Sequence, residues 1–164
     1  MFEANEEQVL GILNRLSISY IRHEHSPVFT IEESKQLNII INATRCKNLF
    51  LRNKKGNQYY LVIMEHSKTV NLKHLALQIG STALSFASEE RMVNILGLTP
   101  GSVSPFGLIN DNNKKIVVLM DQQLVSSSKL SFHPNVNTTT IEILSEDFAK
   151  YLSWCGNKLL YINI

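Results

Sequence analysis

Apolar and polar residues alternate along this chain in two rhythms. Val9, Ile12, Leu13 and Leu16 recur at helical spacing behind Asn5 and Gln8, which form a capping-box pattern. Leu72, Leu75, Ala76 and Ile79 repeat that rhythm, with Asn71 as cap and Gly80 as stop. Ser88 with Glu89 and Glu90 opens another helix that ends at Gly97, and Ser145 opens a last one running to about Cys155. Thr30 with Glu33 predicts a further short helix near Ile31 to Leu37. The two-residue rhythm of strands marks Tyr20 to Glu24, Asn48 to Arg52, Gln58 to Met64, Ala83 to Phe86, Lys115 to Met120, Lys129 to His133 and Thr138 to Ile143. Asn53-Lys-Lys-Gly-Asn57 is a hairpin loop between two of them. Hairpins outnumber strand–helix–strand crossovers, so the pattern predicts an α+β domain with a mostly antiparallel or mixed sheet flanked by helices.

No repeat, linker or low-complexity tract interrupts this order, and 164 residues suit one domain spanning 1–164. Composition adds little: 44% apolar residues, 18% charged residues and a net charge of +2 describe an ordinary globular protein, not one that coats nucleic acid. Cys46 and Cys155 make no metal-type pair. The acidic start of the chain and the lack of a membrane-length apolar run predict a cytoplasmic protein with no membrane partner.

One segment departs from the rhythm. Gly97-Leu-Thr-Pro-Gly-Ser-Val-Ser-Pro-Phe-Gly107 holds three of the seven glycines and two of the four prolines. Glycine permits positive φ and close approach, whereas proline fixes φ, so Gly101 to Pro105 reads as a stiff loop with exposed amides. It matches neither the dinucleotide nor the phosphate-loop pattern, and Ser102 and Ser104 lie in no nucleophile elbow.

The other candidates each have two readings. Lys47 is either a solvated lysine before a strand or a point charge for a phosphate. His133 is a turn histidine or a polar group facing a pocket. Cys46 beside Lys47 is an activated thiol or a small buried hydrophobe. His23 and His25 share a strand face but lack the third ligand of a metal site.

Five segments in order carry a resemblance: His25-Ser-Pro-Val-Phe-Thr-Ile-Glu-Glu33, Cys46-Lys-Asn-Leu-Phe-Leu-Arg52, Ser85-Phe-Ala-Ser-Glu-Glu-Arg91, the glycine loop, and Phe132-His-Pro-Asn-Val-Asn-Thr138. Together they resemble the aminoacyl-tRNA editing domain family, which includes the insertion domain of bacterial prolyl-tRNA synthetases and free-standing relatives. The His-x-Pro-Val-Phe-Thr segment looks most like the alanyl-tRNA(Pro) deacylases. The resemblance implies a compact fold with a curved central sheet, hydrolysis of the ester on a mischarged tRNA, and no metal or other cofactor. It implies that Lys47, Gly101 and His133 serve catalysis. It further implies that Asn48, Ser102, Val103, Ser104 and Pro105 bind substrate, with Phe29 and Thr30 as candidate pocket walls. Ser67-Lys-Thr-Val-Asn-Leu-Lys73 departs from the family's usual Asp-Lys-x-Val-Asp-Leu-Lys, although Asn71 still suits a helix cap. The implied partners are the acceptor end of a mischarged tRNA and a prolyl-tRNA synthetase. Removal of cysteine or serine instead of alanine, and a non-catalytic module that binds tRNA or a synthetase, are the alternatives.

Overall fold

A computed structural model describes residues 5–27 and 40–164. The helix expected near Ile31 to Leu37, with Phe29 and Thr30, lies outside those residues. The described elements are α1 (Glu6–Arg15), β1 (Tyr20–Glu24), β2 (Thr44–Arg52), β3 (Tyr59–Glu65), α2 (Leu72–Ile79), β4 (Ser85–Phe86), α3 (Glu89–Leu96), β5 (Ile116–Asp121), β6 (Lys129–Phe132), β7 (Thr139–Leu144), α4 (Ser145–Cys155) and β8 (Leu159–Ile162). Two 3-10 turns, Pro105–Asn110 and Gln122–Ser126, precede β5 and β6.

The caps read from the sequence at Asn5, Asn71 and Ser88 are formed. Asn5 Oδ1 accepts from the Gln8 amide, Asn71 Oδ1 from the Lys73 and His74 amides, and Ser88 Oγ from the Arg91 amide. Ser145 differs: it is the first residue of α4 but caps nothing, because its hydroxyl donates to the Ser127 carbonyl. The pattern does not predict β8, a four-residue run beyond the last helix stop.

The strands form one mixed sheet in the order β1-β7-β6-β2-β3-β5-β8, with β4 on β2 off this path. β1–β7, β6–β7, β2–β3 and β2–β4 are antiparallel, while β2–β6, β3–β5 and β5–β8 are parallel. β3 is buried from Tyr59 to Met64 because both faces of the sheet are covered there. One face packs Phe50, Leu61, Ile63 and Phe132 against Leu13 of α1, Leu96 of α3, Phe106, and Phe148 and Tyr151 of α4. The other packs Leu51, Val62, Met64 and Leu119 against Leu75 and Ala76 of α2.

Gly107 sits where this packing tolerates no side chain. A Cβ there would lie 2.7 Å from Leu98 Cδ1 and 3.1–3.2 Å from Leu96 atoms. Both leucines are buried, so neither can yield freely. Gly107→Ala is expected to cost about 1–3 kcal/mol through overpacking, read as a lower urea midpoint with an unchanged slope.

Candidate functional site

The site follows from a break in strand pairing. β2 pairs with β6 only at Thr44–Leu130 and Arg45–Ser131, and its same edge is next covered by β4 at Leu51–Phe86. Between these points, from Cys46 to Leu49, that edge has no strand partner among the described residues. In an antiparallel pair, a residue's N–H and C=O point to the same side and alternate along the strand. Arg45 O accepts from His66 N on the β3 side, while Phe50 O accepts from Ala87 N on the other. The backbone of Asn48, in phase with Phe50, therefore faces the gap.

Side-chain alternation sorts the candidates around this gap. Lys47 lies on the face of Leu49, Leu51 and Met64, whereas Asn48 lies on the face of Cys46, Phe50 and Ile63. Arg45 pairs with Ser131, so alternation along each chain carries Lys47 and His133 to the same face of the sheet. Lys47 is half-buried and has no ion pair or hydrogen bond among the described residues. His133 Nδ1 lies 2.9 Å from Thr139 O. A carbonyl only accepts, so Nδ1 carries the proton and Nε2 of the neutral ring is an acceptor. Burial holds the His133 pKa below the ordinary imidazole value, the Thr139 carbonyl opposes this, and the nearby His25 adds to it. The two rings are 5.9 Å apart.

His23 and His25, read in the sequence as a same-face pair, lie on this face with Ser131, Thr140 and Glu142, which the sequence did not single out. His25 Nε2 bonds Thr140 Oγ1 at 2.8 Å, and His23 Nε2 bonds Glu142 Oε2 at 2.8 Å. Ser131, Thr140 and Glu142 are all buried, and Glu142 Oε1 has no hydrogen-bond partner among the described residues. The signal was present as an apolar Ile141 and Ile143 alternating with polar Thr140 and Glu142, but alternation alone reads such polar residues as solvent-facing. His23 and His25 are thus held by β7, and among the described residues no group of three metal-ligating side chains is arranged around a cation.

On the Asn48 face stands the glycine loop. Thr99-Pro-Gly-Ser102 is a turn closed by Ser102 N to Thr99 O, with Gly101 at φ +86°, the conformation that position i+2 of a type II turn requires. Ser104 is buried, and its hydroxyl accepts from the Phe106 amide. Pro105 O accepts from the buried Tyr151 hydroxyl at 2.9 Å, which ties the loop to α4. The amides of Gly101, Val103 and Ser104 have no acceptor among the described residues. Asn48 Nδ2 reaches Val103 O at 3.5 Å, while its buried Oδ1 has no partner among the described residues.

The structure therefore brings together Asn48 and the loop on one side of β2, and Lys47 and His133 on the other. The pairing gap between Cys46 and Leu49 is what opens the strand between these groups. Phe29 and Thr30 lie outside the described residues. The thiol reading of Cys46 is corrected: burial pushes its pKa up to about 12, so the thiolate is negligible at neutral pH and the neighbouring lysine does not activate it. Alternation explains why, since Lys47 points to the opposite face.

A family model described as the aminoacyl-tRNA editing domain matches residues 25–151. Prolyl-tRNA editing protein ProX of Acetoanaerobium sticklandii is 42% identical over 159 residues, covering 97% of each chain. Prolyl-tRNA synthetase associated domain-containing protein 1 of Bos taurus is 34% identical over 166 residues, covering 98% of this chain and 97% of its own. A solved structure described as a candidate trans-editing enzyme for prolyl tRNA synthetase aligns over 100% of this chain and 99% of its own, with TM-score 0.71 and 15% identity. That likeness establishes the fold.

Two outcomes follow from the site chemistry. Cys46 in the native protein should react with a thiol reagent at pH 7 far more slowly than in urea, as followed by absorbance with Cys155→Ser as background. As pH falls through 6.5, unfolded His133 binds a proton that the native residue resists, so stability should fall on acidification. Part of that slope should vanish in His133→Asn, measured by urea unfolding at pH 5 and 7.5.

Proposed function

The chain belongs to the aminoacyl-tRNA editing domain family and is an aminoacyl-tRNA deacylase acting in trans, and from that premise we propose that the ester it clears is alanyl-tRNA(Pro). The observation that supports this most is the open edge of β2, with a lysine on one face and loop amides on the other that have no partner among the described residues.

Water attacks the ester carbonyl, the carbon–oxygen bond to the terminal ribose breaks, and free amino acid and tRNA leave. The tetrahedral oxyanion needs preorganised donors, and the amides of Gly101, Val103 and Ser104 are of the required kind. Lys47 holds the phosphate of the terminal adenosine by a charge-assisted contact, fixing the ester relative to the gap. His133 offers Nε2 as an acceptor to a substrate hydroxyl or to the attacking water, because its Nδ1 proton is committed to Thr139. Asn48 presents its partnerless Oδ1 and its backbone to the substrate. A vicinal ribose hydroxyl helps place the water, which dispenses with a protein nucleophile.

Selectivity rests on size. One small apolar group is worth only ~1–3 kcal/mol, so a synthetase site for proline admits alanine, and a second, smaller pocket must remove the product. Ser102, Val103, Ser104 and Pro105 form one wall of that pocket, and Phe29 and Thr30 are proposed as the other. The protein does this work in the cytoplasm beside a prolyl-tRNA synthetase. Esters of cysteine or serine are the alternative substrates, which the same assay separates.

Incubation with tRNA(Pro) charged with alanine, cysteine, serine or proline should release alanine fastest and spare proline. Equal loss from all four, or no loss of alanine, refutes the substrate assignment. Lys47→Ala should lower kcat/KM on the order of 100-fold with an unchanged unfolding midpoint. A rate within a few-fold of the parent removes Lys47 from the mechanism.

A further inference from the structure

A net charge of +2 hides an uneven distribution. β3, β5 and β8 run parallel as neighbours, so their N-terminal ends lie side by side at one end of the sheet. Each of those ends is preceded by lysine: Lys54 and Lys55 in the hairpin before β3, Lys114 and Lys115 before β5, and Lys158 before β8. All five are exposed, and none forms an ion pair among the described residues. Subtracting their five charges from +2 leaves −3 for the remainder of the chain. Five of the 16 lysines and arginines of the chain thus gather at this rim.

The rim is also rigidly built. Asp111 is 3% exposed and accepts from the Lys115 amide, the Ile116 amide and Asn157 Nδ2, all at 2.8–2.9 Å. It thereby ties the loop of Lys114 and Lys115 to the one carrying Lys158. Gln58 Nε2 donates to Lys115 O and links this pair of loops to the hairpin. The hairpin is closed on itself by Asn53 Oδ1 accepting from the Asn57 and Gln58 amides. The carboxylate of Asp111 is consumed inside, so the outer surface keeps its positive sign. Glu89 and Glu90 are exposed acids on the first turn of α3, the helix whose Arg91 guanidinium contacts Tyr59 and Gly56 O. Neither pairs with a lysine of the rim.

We propose that this rim is a binding surface for the phosphate backbone of the tRNA body, separate from the ester site. The inference rests on the editing reading for the identity of the RNA, but its charge geometry stands apart from the chemistry. Lys54 is seven residues along the chain from Lys47, so it lies within roughly 23 Å of it at ~3.3 Å per extended residue. A duplex offers one charge for every ~1.7 Å of its axis. A stem leaving the ester site toward this end of the sheet therefore presents several phosphates to the five lysines at once. Lysine suits this task because phosphate contacts set position and affinity without reading sequence.

The test is equilibrium binding of uncharged tRNA(Pro) across a sodium chloride titration, with the whole chain. K54Q/K55Q and K114Q/K115Q/K158Q should each weaken binding, with a slope of log K against log salt shallower by roughly 0.7–0.9 for each phosphate no longer neutralised. K73Q, an exposed lysine on α2, should match the parent. In single-turnover deacylation at saturating tRNA, the rim variants should keep the parental rate. The proposal is overturned if both rim variants retain the parental affinity and slope, or if K73Q weakens binding as much as they do. A parent that binds through the rim yet releases no alanine leaves the rim standing and removes the editing substrate instead.

Discussion

The arrangement of this molecule depends on where β2 loses its partner. A strand inside a sheet has both edges saturated by backbone hydrogen bonds, and its peptide groups are closed to any ligand. β2 is saturated on the β3 side throughout, but β6 leaves it after Arg45 and β4 arrives only at Leu51. A short stretch of strand in the middle of the fold is thus left with backbone groups facing a gap. The elements that end beside it, β6 running into His133 and the glycine loop behind α3, approach β2 from its two opposite faces.

Rigidity comes from the surroundings of the gap. The loop is closed by the turn at Gly101, held at Pro105 by the buried Tyr151 hydroxyl, and pressed against Leu96 and Leu98 at Gly107. Its free amides are therefore fixed in direction before any ligand arrives, which is what makes backbone donors useful for a developing anion. His133 is fixed by one strong hydrogen bond that also selects its tautomer. On the far side, the buried row of Thr140, Glu142 and Ser131, with His23 and His25, makes half of the sheet polar on one face. That face contrasts with the phenylalanine-rich packing directly behind it.

Lys47 and Asn48 show how local reading and tertiary placement diverge. As neighbours in sequence they suggest one contact surface, and as consecutive strand residues they must point apart. The same alternation separates Cys46 from Lys47, and desolvation of the half-buried thiol raises its pKa. A basic neighbour in sequence lowers a thiol pKa only when it is also a neighbour in space. The lysine rim makes the complementary case: Lys54, Lys114 and Lys158 are far apart in sequence and come together because three parallel strands begin at one level.

Much of the fold was legible in the chain by itself, because helices and strands announce themselves through local periodicity and caps. The Asn5, Asn71 and Ser88 caps, the Asn53–Asn57 hairpin and the mixed character of the sheet all follow from neighbours within a few residues. The family was legible too, in five short segments whose order survives without any coordinates. Pairing between distant strands decided the rest. It extended β2 back to Thr44 through contact with β6, added β8 beside β5, buried Glu142 and opened the gap at Asn48. Strand partners are chosen by packing across the whole core, an energy that no local window of sequence contains.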